Sequence, residues 1–200
     1  MNQPALLEQH PWQPFLPEHT RLIMLGSFPP AKNRWCMDFF YPNYINDMWR
    51  IFGLCLYGDK QRFVDEKSRK FRLDDIKKVL VDCGIGLYDT AKVVRRTRNT
   101  AADKDLEVVC EVDLFNLIDS APECVAVVTT GQKATDIFCR NYGIAQPKVG
   151  NYVPFCHGER QLRLYRMPSS SRAYPMRLEK KAEAYQIIFD QIINKKHYNT

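Results

Sequence analysis

Short apolar runs that end in glycine or proline loops alternate along this chain with runs whose apolar residues recur every three or four positions. The clearest short run covers residues 125–131. Such a run is typical of a strand that is buried on both faces of a sheet, whereas the spaced runs are typical of helices that bury one face. The alternation predicts an α/β fold with three α/β/α layers around a central, mainly parallel, four-stranded sheet.

The predicted elements follow one another from residue 21 onward. Strands are predicted over residues 21–25, 84–89, 125–131 and 162–167. Helices are predicted over residues 45–56, 73–83, 114–118, 133–142 and 178–192, several of them ending at a glycine or before a proline. Residues 1–20 contain four prolines and predict an irregular amino-terminal leader. We expect residues 1–200 to form a single domain, because this length is short for two hydrophobic cores.

The parallel sheet predicts where a ligand would bind. In doubly wound sheets, ligands bind at the carboxyl ends of the strands. We therefore expect the loops that follow Leu25, Leu87, Thr130 and Met167 to meet at one edge of the molecule.

Charge and cysteine usage narrow the class of protein. The chain has 29 Lys and Arg against 23 Asp and Glu, and this formal net charge of +6 suits a polyanionic partner. The seven cysteines are odd in number and have no C-x-x-C spacing, so we expect reduced thiols, no metal and no cofactor. The start of the chain lacks a signal-peptide pattern, and no apolar run approaches the roughly 20 residues of a membrane span. We expect a cytoplasmic protein without membrane contact, and a monomer.

Five short segments carry the chemistry. They are Gly26-Ser27-Phe28-Pro29, residues 41–49, Gly86-Leu87-Tyr88-Asp89, residues 130–134 and residues 167–171. In this order they resemble the uracil-DNA glycosylase superfamily, and most closely its hypoxanthine-DNA glycosylase branch, over residues 21 to 193. The resemblance implies a monofunctional DNA glycosylase that acts in base excision repair. Such an enzyme flips a deaminated base (hypoxanthine, uracil or xanthine) out of DNA and hydrolyses its N-glycosidic bond, which leaves an abasic site.

Asn46 is the catalytic residue that the resemblance implies. A first loop of the form Gly-x-(Asp or Asn)-Pro positions the attacking water in the superfamily, but Phe28 occupies that place here. The hypoxanthine branch is thought to use an asparagine three residues before a tryptophan, which matches Asn46 before Trp49. An amide can contribute by positioning a water against the sugar. From the residues alone, however, Asn46 followed by Asp47 favours a helix N-cap.

Four residues are predicted to form the base pocket: Ser27, Phe28, Tyr41 and Thr130. Phe28 would stack on the flipped base, although core packing is the ordinary role of a single phenylalanine. Ser27 would offer its hydroxyl or backbone N–H, or else belong to a strand-end turn. Thr130 lies where other branches have an asparagine that reads uracil, so strict uracil selection is not implied.

The second motif is predicted to face DNA. The His-Pro-Ser of the best-known members becomes Met167-Pro168-Ser169 here, which removes an imidazole that would stabilise the departing base. The resemblance implies that the loop of Pro168, Ser169, Ser170 and Ser171 presses into the minor groove, with Arg172 as a wedge or phosphate contact. A serine-rich surface turn is the alternative interpretation.

Two further features are weaker. Arg95, Arg96 and Arg98 form a cationic cluster that could grip phosphates on either side of the lesion, or simply lie in a solvated loop. Asp89 lies where the branch carries a Leu-Trp-Asp-like motif, yet a polar residue at a strand end more often caps a turn.

Two other functions remain open at this point. The first is a damaged-DNA-binding protein that has this fold without catalytic activity, which both substituted motifs would explain. The second is a small-molecule hydrolase on a doubly wound sheet, although the chain lacks phosphate-binding glycine loops and a carboxylate cluster suited to magnesium.

Overall fold

The computed structural model describes residues 7–96 and 106–193. Its strands are β1 (Leu7–Gln9), β2 (Leu22–Gly26), β3 (Val64–Asp65), β4 (Lys70–Phe71), β5 (Ile85–Asp89), β6 (Ala91–Arg96), β7 (Leu106–Glu111), β8 (Ala126–Thr130), β9 (Asn151–His157) and β10 (Arg160–Met167). Its α-helices are α1 (Met48–Tyr57), α2 (Leu73–Cys83), α3 (Leu114–Asp119), α4 (Gln132–Tyr142) and α5 (Leu178–Gln191). None of these helices has the length and apolar character that a bilayer crossing requires.

Five strands form the central sheet, in the order β5-β2-β8-β10-β9. The first four run parallel, as predicted, and β9 is an antiparallel edge strand. The predicted number of four strands was therefore one too few. Residues 151–157 contain Pro154, which argues against a central strand, but an edge strand has no second neighbour that needs the missing N–H.

Both faces of this sheet are covered. Every residue of β2, β5 and β8 is buried. Because successive side chains of a strand point to opposite faces, a strand that is buried throughout is covered on both sides. The prediction of an α/β fold with a mainly parallel sheet is confirmed, and α1 and α5 pack against each other.

Glycine ends α1 and α2 where the sequence predicted a stop. Gly58 and Gly84 follow α1 and α2 in the left-handed conformation, and their N–H groups bond to carbonyls of the last turn. Glycine adopts this conformation without the steric penalty of a Cβ. The start of α1 is less well predicted, since the helix begins at Met48 and Ile45 is 47% exposed outside it.

The amino-terminal segment is more ordered than its prolines suggest. β1 pairs with β6, which in turn pairs with β7 in a second, three-stranded sheet. Phe15 forms an isolated bridge with Leu87 at the edge of the central sheet. The prediction of an irregular leader was therefore wrong for residues 7–9. Pairing with strands distant in sequence supplied order that local composition does not show.

Candidate active site

A cavity of about 390 Å³ opens at the carboxyl ends of β2, β5, β8 and β10. The loops after these strands meet there, as the parallel topology requires. Most of the residues proposed for catalysis, base binding and DNA contact line it: Ser27, Phe28, Tyr41, Asn46, Thr130, Ser169, Ser170, Ser171 and Arg172. The volume falls within the range of small-ligand pockets, roughly 300–1,000 Å³.

Asn46 lies at the cavity and also at the start of α1. Its Oδ1 accepts the N–H of Met48 at 2.9 Å, and its carbonyl oxygen accepts a bond from Arg50 at 3.0 Å. Asp47, the N-cap of α1, makes no side-chain cap bond to the helix. Burial, followed by the nearby charge of Arg172, lowers the pKa of Arg50. The side-chain oxygen and the carbonyl oxygen of Asn46 are therefore both bonded to residues of α1.

Asp47 joins this turn to the loop that follows β10. Its N–H donates to the Ser170 carbonyl at 2.9 Å, and its Oδ2 accepts from Lys181 Nζ at 3.0 Å. Lys181 is completely buried in α5 and also donates to the Ser171 carbonyl at 2.7 Å. Arg172 Nε donates to the other carboxylate oxygen of Asp47 at 3.1 Å. Asp47, which is buried, thus connects α5, the turn before α1 and the loop after β10.

The loop after β10 presents its serines to the cavity and turns its proline inward. Pro168 is buried and does not line the cavity. The hydroxyl of Tyr185 donates to the Pro168 carbonyl at 2.9 Å, and burial raises the pKa of this tyrosine well above its usual value. The side chain of Arg172 is 52% exposed at the rim.

The remaining base-pocket residues lie around the end of β2. The hydroxyls of Tyr41 and Thr130 are 3.0 Å apart, and Thr130 also donates to the Leu25 carbonyl at 3.3 Å. The position of Phe28 is compatible with both roles considered from the sequence, base stacking and core packing. It lines the cavity and also packs against the small cluster of Ala91, Val94 and Leu106.

The structure adds an aromatic wall that the sequence did not indicate. Trp12 and Phe40 line the cavity beside Asp89. His10 does not line the cavity but contacts Asp89, with Nε2 2.9 Å from Oδ2. Its ring centroid lies 4.7 Å from that of Tyr88. Sequence reasoning gave His10 no role, because nothing near residue 10 indicates a partner 79 positions away.

Both described members of the arginine cluster, Arg95 and Arg96, are bonded to carboxylates. Arg96 donates through Nε and a terminal nitrogen to Glu8, at 2.8 and 2.9 Å, and also to the Pro29 carbonyl. Arg95 bonds to Glu107 at 2.9 Å. Neither residue lines the cavity, and Arg98 lies outside the described residues. Arg34 does line it, and the sequence analysis did not single it out.

Fold and cavity together define a mixed α/β protein with a candidate site at the carboxyl edge of its parallel strands. The solution NMR structure of a "putative Uracil DNA glycosylase" from Methanosarcina acetivorans has a similar fold, with a TM-score of 0.57 and 20% sequence identity. The match covers 90% of this chain and 98% of that chain. No family model matches the chain, and no curated protein matches it. The comparison therefore establishes that the two chains share a fold.

Proposed function

We propose that this protein is a DNA repair glycosylase. It flips a deaminated base (hypoxanthine, uracil or xanthine) out of DNA and hydrolyses the N-glycosidic bond. The main support for this proposal is that Asn46, Phe28 and the Ser169–Arg172 loop, which are distant in sequence, line one cavity. The fold shared with the Methanosarcina protein supports the same function.

The chemistry needs no metal. Breaking the bond builds positive charge on the sugar while the base leaves as an anion, and preorganised polar groups can stabilise both. An amide oxygen has two lone pairs, so the bond from Met48 to Asn46 leaves one for the attacking water. Asn46 then positions that water against the anomeric carbon. Phe28 stacks on the flipped base, and Ser27, Tyr41 and Thr130 surround its polar edge.

The proposed DNA contacts come from the rim. Ser169, Ser170 and Ser171 meet phosphates, and Arg172 fills the gap in the duplex or contacts a phosphate. Arg95 and Arg96 would have to exchange Glu107 and Glu8 for phosphates before they could join them.

The protein is proposed to be monofunctional. A glycosylase that also cleaves the strand needs an amine to attack the sugar. Lys181, the lysine bonded to Asp47, is completely buried and bonded to two oxygens, which suits a structural role. Strand cleavage without alkali would contradict this part of the proposal.

Base release tests the function directly. Labelled duplexes with a single uracil, hypoxanthine or xanthine are incubated with the wild type and with Asn46→Ala, and then treated with alkali. We expect release from at least one duplex and a roughly 100-fold slower rate in the variant, since loss of water positioning costs about that much. The control is Asn116→Ala, which removes an exposed amide on α3 away from the cavity.

A second function is favoured by one specific contact. Because Oδ1 of Asn46 accepts the Met48 N–H, its amide has a structural role that requires no catalysis. A damaged-DNA-binding protein without catalytic activity would keep that contact. Tight binding of a lesion duplex without base release from any of the three would select this function over the first.

A further inference from the structure

Asp89 forms part of the cavity wall, and a histidine from the amino-terminal segment holds its carboxylate. His10 Nε2 lies 2.9 Å from Asp89 Oδ2, and the two side chains are 2% and 9% exposed. On the other side of the imidazole, Nδ1 lies 2.8 Å from the Trp12 carbonyl oxygen. Both ring nitrogens of His10 therefore have a partner, and one of the two carboxylate oxygens of Asp89 is engaged by His10.

The other oxygen of Asp89 lies over the end of β2. A Cβ added to Gly26 would be 2.3 Å from Oδ1 of Asp89 and 3.7 Å from the Tyr41 hydroxyl oxygen. The carboxylate thus uses space that only glycine leaves open at residue 26. Gly26, Tyr41 and Asp89 all line the cavity, so Oδ1 lies near the part of the wall that Gly26 and Tyr41 form.

The surroundings make this carboxylate dependent on partners. Tyr88 and Phe28 contact the His10 ring, with centroids 4.7 and 5.5 Å away, and aromatic side chains continue along the wall. A carboxylate next to apolar groups is costly unless hydrogen bonds compensate for lost water. His10 provides one such bond, and a bound ligand with an N–H group would provide another.

Uracil and hypoxanthine offer an N–H group that their parent bases, cytosine and adenine, lack. Uracil at N3, and hypoxanthine and xanthine at N1, have a ring N–H next to a carbonyl. The same ring nitrogen of cytosine and adenine has a lone pair instead. An ionised carboxylate can only accept, so it pairs with the first group and repels the second.

We propose that Asp89, oriented by His10, recognises the ring N–H of the flipped deaminated base. This inference rests on the proposed glycosylase function and names the residue that selects its substrate class. His10 acts through Asp89 and is a positioning residue. Guanine and thymine also have a ring N–H, so Asp89 discriminates only against adenine and cytosine.

The test is a thermodynamic cycle in which both residue 89 and the ring N–H of the flipped base are varied. Duplexes carry a hydrolysis-resistant 2′-fluoroarabino nucleotide with hypoxanthine or with 1-deazahypoxanthine, in which C–H replaces the ring N–H. Affinities are measured by fluorescence anisotropy at one salt concentration. We expect the wild type to prefer hypoxanthine by about 10- to 100-fold, the size of a hydrogen bond to a charged group, and Asp89→Ala to bind both within about twofold.

Matched variants separate recognition from folding. His10→Phe keeps an aromatic ring in the wall but removes the bond to Asp89, and we expect it to lose about half of the preference on a logarithmic scale. His19→Phe is the control, because His19 forms a similar 2.8 Å contact with Glu123 on the exposed surface and should keep the full preference. If Asp89→Ala does not fold, the isosteric Asp89→Asn replaces it and should lower the preference by about tenfold.

Two results would overturn the inference: equal affinity of the wild type for the two duplexes, or an undiminished preference in the folded Asp89 variant. Binding to these duplexes requires no catalysis. Base release from ordinary uracil, hypoxanthine and xanthine duplexes, measured in parallel, reports separately on the glycosylase function.

Discussion

Arg172 shows how one side chain can be fixed and still face solvent. Its Nε is bonded to Asp47, while about half of the side chain (52%) is exposed at the rim of the cavity. A guanidinium has five N–H donors in a planar fork, so a single bond to Asp47 orients the group for further partners. If the cavity binds DNA as proposed, the natural partner at its rim is a phosphate.

Removing this guanidinium should weaken DNA binding without regard to the base. We expect Arg172→Ala to bind lesion and undamaged duplexes less tightly by a similar factor, and the slope of log affinity against log salt to fall by about one. Anisotropy titrations at several salt concentrations measure both. Arg163→Ala is the control, since Arg163 bonds to Tyr165 and Gln191 and does not line the cavity. An unchanged slope with loss confined to lesion duplexes would instead indicate a wedge.

At the residue scale, the sequence was sufficient for the site residues whose position is set by strand order. Ser27, Thr130 and the serines after Met167 lie at or just beyond the ends of predicted parallel strands, so their meeting at one edge required no tertiary information. His10 could not be found in this way, because its partner Asp89 is 79 residues distant. Arg96 was visible as a cation, but its bidentate bond to Glu8 depends on the pairing of β1 with β6.

At the scale of elements, α5 fixes the loop that follows β10 from below. Lys181 and Tyr185 lie four residues apart, on one face of the helix. Lys181 bonds to the Ser171 carbonyl and Tyr185 to the Pro168 carbonyl, at opposite ends of the loop. The helix therefore determines the conformation of a segment that would otherwise be a serine-rich surface turn.

Breaking the buried ion pair should destabilise the whole protein. Lys181→Met leaves Asp47 buried with only its half-exposed Arg172 partner, so we expect a loss of about 3–5 kcal/mol in the free energy of unfolding. Urea titration followed by circular dichroism measures this loss. The double variant Lys181→Met, Asp47→Leu should recover much of it, because neither charge of the buried pair remains.

The neighbouring lysine provides the matched control. Lys180 is exposed and pairs with Glu183 on the helix surface, so Lys180→Met should change stability by about 0.5 kcal/mol or less. Equal effects of the two lysine substitutions would show that the buried pair does not stabilise the fold.

Elements with local stop signals were predicted well, and those without them were not. α1 and α2 end at glycines that the sequence displays, so their carboxyl ends agree with the structure. The short β1 and the edge strand β9 have weak patterns of their own and form through pairing with β6 and β10. Burial against distant partners decides such strands, and local propensity does not reveal it.

For the whole molecule, several buried groups hold protons more tightly than they would in the unfolded chain. Burial raises the pKa of Cys124 from 9.0 to about 11. Burial also raises the pKa values of Tyr142 and Tyr185. Below pH 9 the thiol is protonated in both states and costs nothing. Above it, the unfolded chain releases this proton first, so the folded state loses stability as pH rises.

This linkage predicts alkaline sensitivity. We expect the free energy of unfolding to fall as pH rises from 8.5 to 11, with Cys124 contributing about 2–3 kcal/mol of the decrease. Urea titrations in the presence of a reductant measure this. Cys124→Ala should reduce the decrease by that amount, whereas Cys156→Ala, which removes an exposed thiol, should not. An identical decrease in the Cys124 variant would refute the assignment.

The amino-terminal wall of the cavity has a consequence for how the site forms during synthesis. β1 is synthesised well before β6, yet the two strands pair, and Leu7 lies opposite Arg95. Closing so long a loop carries an entropic penalty that must be met before the contacts form. His10 therefore lacks its partner Asp89 until β5 has been synthesised, and the contact proposed to recognise the base is completed only after that.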